Sequence, residues 1–337
     1  MTNNHFKICF FHSFSLILQS NEKIMEGKYI NPYTDFGFKK LFGTEMNKEL
    51  LISFLNALFE GHEEIRDITY RNSEQLGSGM LDRKAVFDVY CENTAGERFI
   101  VEMQKAEQNY FKDRSLFYAT FPIREQAQRG DWDFQLKGVY TVGILNFVFP
   151  DDEYPDDCMH HEVKLMDVED KHVFYDKLTF VYLEMPKFRK TEDELVTMFD
   201  KWLYVLHNLS RLMERPAALQ ERVFTRLFEQ AEVAKLSPEE RFDYEESVKV
   251  YRDLINVVET ARQKGERSGM EMGMEIGMEK GRAEGLEKGR SEGLEKGRAE
   301  GIEEAKMDSA RRMKQKGFSA GDIAEITGLS KEQVEEL

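Results

Sequence analysis

Residues 84–105, KAVFDVYCENTAGERFIVEMQK, constrain the fold more than any other stretch. Two runs, 84–92 and 98–105, alternate apolar and polar residues, the period of a strand with one buried face. Between them Asn93-Thr94-Ala95-Gly96 is turn-forming, and Gly96 can supply the left-handed residue of a three-residue loop. That loop pairs Asn93 with Glu97 and sets the register of a β-hairpin. Phe87, Val89 and Cys91 then fall opposite Met103, Val101 and Phe99 on one apolar face. On the other face Asp88 falls opposite Glu102, Val86 opposite Gln104 and Tyr90 opposite Ile100.

Two carboxylates opposed across strands repel each other. A hard divalent cation between them reverses the sign, because Mg²⁺ prefers carboxylate oxygen and keeps waters for chemistry. Gln104 stands two residues beyond Glu102 on the same face, placed to hold such a water. The alternative is a solvated hairpin face whose carboxylates point apart. The apolar Val86, Tyr90 and Ile100 beside them weigh against full exposure.

An Asp on one strand followed by Glu-x-Gln on the next resembles the PD-(D/E)XK nuclease signature in its E-x-Q variant. Upstream, the run YTDFGFKKLFG at residues 33–43 resembles the opening motif of the Rpn-type recombination-promoting nucleases and transposases. Downstream, three features resemble the same family: a helix with Arg114 and Tyr118, the segment LFEQAEVAKLSPEERFDYEESVKVYRDL, and a glycine-periodic tail. The resemblance spans roughly residues 25–337. It implies an α/β fold, a restriction-endonuclease-like mixed sheet flanked by helices, with a helical C-terminal extension. It implies a Mg²⁺-dependent DNA endonuclease, Mn²⁺ substituting, that promotes recombination or accompanies a mobile element. Asp88, Glu102 and the main-chain carbonyl of Met103 would hold the metal, and Gln104 would orient the attacking water. The sequence departs from the motif twice. Phe87 stands where the motif name has Pro, and Gln104 where many relatives have Lys. Lys105 is adjacent but alternates to the other face. Gln can orient a water but supplies no positive charge to a developing phosphorane. That gap keeps a rival reading open: a degenerate nuclease fold serving as a DNA- or protein-interaction module.

Charge bears on the same question. The chain of 337 residues carries a formal net charge of −16. Residues 261–337 are nearly neutral, so the acidic excess lies in residues 1–260. DNA affinity rests largely on phosphate contacts by Lys and Arg, so a DNA-facing surface must be a local basic patch on an acidic body. Cys9, Cys91 and Cys158 are scattered and form no zinc or disulfide pattern, which fits a reducing, cytoplasmic setting.

Residues 1–24 are read as a leader or a misassigned start: FKICFFHSFSLIL is apolar but too short to span a bilayer. Residues 25–190 are the expected nuclease core that the resemblance implies. Within it, Phe38, Leu41 and Phe42 have helical spacing, and the pattern resumes with Leu50, Leu51, Phe54, Leu55 and Leu58. Asp35 either reaches the metal or caps its helix; Glu49 is another acidic candidate, and Asp82 a reserve ligand sharing strand parity with Asp88. Lys39 and Arg114 are the phosphate-contact candidates, Arg114 for its bidentate geometry or else as a surface ion pair. A short strand is expected over 65–71 and a helix over 106–129 with Phe111, Leu116, Phe117 and Ala119 on its apolar side. KGVYTVGILNFVF at 137–149 reads as a strand buried on both faces, and 161–165 and 177–184 as further strands.

Residues 191–260 read as a helical extension. In the tether at 261–304, glycine recurs every fourth residue from Gly265 to Gly301. Each interior Gly costs about 1 kcal/mol relative to Ala, so the segment is either a flexible tether or a marginal helix. It is also a candidate surface for a homo-oligomer or a helical partner. Residues 305–337 resemble part of a helix-turn-helix, with Ser319 and Ser330 starting helices around Gly328, although Glu332, Glu335 and Glu336 suit a major groove poorly.

Overall fold

The computed structural model describes residues 27–62, 64–75, 85–127, 133–149, 155 and 158–337. Asp82, the 1–24 segment and most of the acidic run at 151–157 lie outside the described residues. The chain forms two compact units, 1–259 and 260–337.

Among the described residues of the first unit, helices α1 (Asp35–Phe42) and α2 (Lys48–Leu58) come first. A six-stranded sheet follows, built from β1 (Ile68–Tyr70), β4 (Val89–Asn93), β5 (Arg98–Gln104), β6 (Val139–Leu145), β7 (His160–Met166) and β8 (Val173–Glu184). Its order is β1-β4-β5-β6-β8-β7. The pairs β5–β6 and β6–β8 are parallel and the rest antiparallel. A separate two-stranded ribbon joins β2 (Glu74–Gln75) to β3 (Ala85–Val86). The parallel β5–β6 pair needs a crossover, which helix α3 (Phe111–Glu125) supplies. Helices α4 (Met198–Asn208) and α5 (Arg222–Ala231) follow, and then α6 (Pro238–Gln315), of which residues up to 259 belong to the first unit.

One large core joins α1 and α2 to the odd-numbered side chains Val89, Cys91, Phe99, Val101 and Met103 of the hairpin. The same core includes Trp202, Leu206, Phe224, Tyr244 and Tyr251, so the C-terminal helices of this unit share it with the sheet. The opposite face carries smaller clusters under α3, one around Phe111, Leu145 and Tyr182 and one around Tyr90, Ile100 and Phe121. The end of α3 is tied to the hairpin: Arg98 Nη1 donates to the Pro122 carbonyl (2.8 Å) and pairs with Glu125, which also accepts from the Tyr90 hydroxyl. Leu116 and Phe117 were expected on the apolar side of α3. Both are exposed instead, because Ser115, Ala119 and Phe121 turn the buried stripe the other way.

The glycine-rich run reads through α6 as helix. An added Cβ at any glycine from Gly265 to Gly301 would meet nothing within 4 Å. Along it Lys280 pairs with Glu284 and Lys288 with Glu292, both exposed and long at 4.0 and 3.9 Å. Such pairs add little. The second unit closes with α7 (Ala320–Thr327) and α8 (Lys331–Glu335), capped by Ser319 and Ser330 and packed on Ala310 through Ile323, Leu329 and Val334. No described helix is long and apolar enough to cross a membrane.

Candidate active site

The hairpin register follows from the local pattern: Val89 pairs with Val101, Tyr90 with Ile100 and Cys91 with Phe99. Asn93 N–H donates to the Glu97 carbonyl, and Gly96 takes φ +81° as the loop requires. Pairing then stops one residue short of Asp88. In a continuing ladder, alternate pairs exchange hydrogen bonds, and Met103 N–H would meet the Phe87 carbonyl. Here Asp88 Oδ2 accepts that N–H instead, at 2.9 Å. Phe87 N–H donates to the Ser73 carbonyl, at the end of the β2–β3 ribbon. Phe87 was expected on the face of Val89 and Cys91. It packs instead with Tyr90, Ile100, Tyr118 and Phe121 on the opposite face. Val86 is exposed and pairs with Glu74 in the ribbon, not with Gln104. The cause is the two-residue break at Phe87–Asp88, across which period-two parity no longer holds.

Beyond this break β5 keeps only β6 as a partner. Glu102, Met103 and Gln104 pair with Gly143, Ile144 and Leu145. Glu102 is 7% exposed and Gln104 9%. Gln104 Nε2 donates to Glu102 Oε2 at 2.8 Å, and Arg114 Nη2 donates to Gln104 Oε1 at 2.6 Å. Arg114 Nη1 also reaches Gln108, and its guanidinium lies over the rings of Phe111 (5.6 Å) and Tyr118 (5.8 Å). One turn of α3 thus brings the Arg114 guanidinium onto Gln104.

Burial raises the carboxyl of Glu102 to about 8, and the Asp88 charge adds to it, with Arg114 and the Gln104 bond opposing. Burial also raises Asp88; the Met103 N–H, Lys39 and Lys105 oppose, and Asp35 adds to the rise. Two coupled carboxylates pushed toward protonation form a donor set suited to a hard divalent cation, which replaces proton by metal and restores both charges. The residues present fit such an ion.

Asp35 and Lys39, one turn apart on α1, both act on Asp88. Asp35 pairs with Lys105 and does not cap its helix. The cap is Thr34, whose Oγ1 accepts from Gly37 N–H (3.0 Å) and donates to the Asn31 carbonyl (2.7 Å). A Cβ on Gly37 would lie 2.1 Å from that carbonyl, which explains the glycine within the TDFGFKK run. Glu49 lies elsewhere, paired with Arg226 at 2.7 Å. It is not among the charges that act on Asp88 or Glu102. Lys40, adjacent to Lys39, pairs with Glu240.

Asn146 was not singled out from the sequence. Its backbone N–H donates to the Gln104 carbonyl (2.9 Å), and its Nδ2 donates to the Lys105 carbonyl (3.2 Å) and the Tyr251 hydroxyl (3.3 Å). It pins the end of β5 from the neighbouring strand. The available signal was one amide inside the apolar run KGVYTVGILNFVF.

A family model described as a PD-(D/E)XK nuclease family transposase matches residues 32–261. No curated protein and no solved structure matches the chain.

Proposed function

The chain belongs to the PD-(D/E)XK nuclease family transposases, and from that premise we propose that it is a metal-dependent DNA endonuclease with its active site at Asp88, Glu102 and Gln104. The observation that carries this reading is the Arg114–Gln104–Glu102 hydrogen-bond chain set against the Asp88 carboxylate. Nucleases of this kind generally use divalent metals, and Mg²⁺ is the ion we propose. Asp88 and Glu102, with the main-chain carbonyl of Met103, would hold it. When bound, such an ion supplies Lewis acidity and lowers the pKa of the attacking water.

The protein's own groups do the rest. Met103 N–H holds Asp88 Oδ2 and so fixes the rotation of that carboxylate. Gln104 uses one amide hydrogen on Glu102 and one lone pair on Arg114, leaving a second hydrogen and a second lone pair for a water. Arg114 brings positive charge within one hydrogen bond of Gln104, the charge that a Lys at 104 would have supplied. Its guanidinium can stabilise charge developing on the phosphoryl oxygens. Lys39, on the Asp88 side, is the second candidate for a phosphate contact. A role in recombination or beside a mobile element accords with the family.

Supercoiled-plasmid nicking tests the reading directly, with Mg²⁺, Mn²⁺ or EDTA and with Asp88→Ala beside the parent protein. Nicking that requires metal and disappears in the variant is the expected result. Well-folded protein that binds DNA but does not nick it under either metal would instead favour the degenerate interaction module, which the net charge of −16 also favours.

A further inference from the structure

Tyr110 stands six residues beyond Gln104 and immediately before α3, where its carbonyl accepts the Arg114 N–H at 2.9 Å. Its φ is 62°, the left-handed region, which strains an aromatic residue and suits glycine or Asn better. Burial does not offset that cost, because Tyr110 is 79% exposed. Farther along α3, Phe117 is 43% exposed and Leu116 also open to solvent. Tyr110 is the residue one turn before Arg114 and lies outside the helical range of φ, while Phe117 stands one turn beyond Arg114 within α3. Both exposed rings thus stand within one turn, along the chain, of the residue that contacts Gln104.

Charge indicates what these rings would meet. The chain is strongly acidic. Two lysines near the site are already engaged, Lys105 by Asp35 and Lys40 by Glu240. Affinity drawn from phosphate neutralisation is correspondingly small. Base stacking on an aromatic ring does not depend on net charge, and it requires bases that are not already stacked in a duplex.

We propose that Tyr110, with Phe117 behind it, is a stacking platform for unpaired bases beside the scissile phosphate, and that the preferred substrate is single-stranded DNA. This rests on the nuclease reading and adds the substrate class. Tyr110 acts as a substrate-positioning residue, holding the strand so that its phosphate lies against Arg114 and the carboxylates.

The test uses the full chain and a fluorescent single-stranded oligonucleotide, with Ca²⁺ in place of Mg²⁺ to hold back cleavage. The same sequence as duplex DNA and as RNA are the comparison probes. The wild-type protein is expected to bind the single DNA strand most tightly. Tyr110→Gly is expected to weaken that binding at least 5-fold, in line with the loss of one base stack, and to change duplex binding less than 2-fold. Tyr110→Phe should stay within 2-fold of wild type. The melting temperature of Tyr110→Gly should be unchanged or higher, because glycine relieves the left-handed strain. Loss of binding without loss of stability separates the platform from a structural role. The proposal is overturned by unchanged single-strand affinity in Tyr110→Gly, by equal loss on duplex, or by tighter wild-type binding of duplex or RNA. The nuclease reading fails separately: if Asp88→Ala still nicks plasmid, that reading is lost whatever Tyr110 does. If Asp88→Ala is inactive while Tyr110→Gly binds normally, only the platform is lost.

Discussion

Replacing Glu102 by Gln should stabilise the metal-free protein at neutral pH. The carboxyl ionises near 4.5 in the unfolded chain and near 8 in the folded one. Below pH 4.5 it is protonated in both states and costs nothing. Between the two values the unfolded chain releases the proton while the folded protein keeps it. Stability therefore falls as pH rises, by about 1.4 kcal/mol per pH unit. At pH 7 the accumulated cost is about 3 kcal/mol. Above pH 8 it stays constant. Gln is neutral throughout and its carbonyl can still accept from Gln104. For a domain of this size such a difference is worth roughly 6 °C or more in Tm. Thermal unfolding of both proteins in EDTA, from pH 4.5 to 8.5, measures it. The Tm gap should open from near zero at pH 4.5, widen to pH 8 and then level off. Adding Mg²⁺ should raise the wild-type Tm and close the gap, because the cation offsets the carboxylate charge. A variant that is no more stable than wild type at pH 7, or is equally shifted at pH 4.5, would show that Glu102 is not under electrostatic stress and would remove the main argument for a cation there.

Arg114→Gln should reduce metal-dependent nicking by about 10²-fold, the scale of losing one charge-stabilising donor, with Arg114→Lys retaining part of the rate; single-turnover nicking assays decide it, and an unchanged rate in Arg114→Gln would mean that the guanidinium does not stand in for the missing lysine. Gly37→Ala should destabilise the first unit by about 1–3 kcal/mol through overpacking against the Asn31 carbonyl, read as a lower denaturant midpoint; an unchanged midpoint would refute the close approach. Replacing four glycines between Gly269 and Gly297 by Ala should raise helicity by circular dichroism, each by about 1 kcal/mol of helix propensity, and leave nicking intact; lost helicity would indicate a partner helix packed against the glycines.

The hairpin could be read from residues 84–105 because everything that sets it is local. Period-two alternation chooses the face, and the Asn93–Glu97 loop chooses the register. The caps at Ser319 and Ser330, and the first helix with its buried Phe38, Leu41 and Phe42, were legible for the same reason. The glycine run was read as tether or helix because propensity alone weighs against a helix without forbidding one. Asp88, Glu102 and Gln104 could be proposed as a site from their order along the chain. Their chemistry could not, because it depends on groups distant in sequence. Tertiary structure decided where β4 leaves β5, with Phe87 packed against Tyr118 and Phe121 on α3 in place of a further ladder pair. It decided that Asp88 takes the Met103 N–H, that Asn146 holds the end of β5 from the next strand, and that Glu49 is drawn to Arg226. It also decided how far α3 rotates, through Arg98 and Tyr90 on Glu125 and through the buried Phe111, Ser115 and Ala119. That rotation buries Ser115, exposes Leu116 and Phe117, and brings Arg114 to Gln104. A helical pattern shows which residues share a side, but the partner that side meets is set by packing between elements, which no local period encodes.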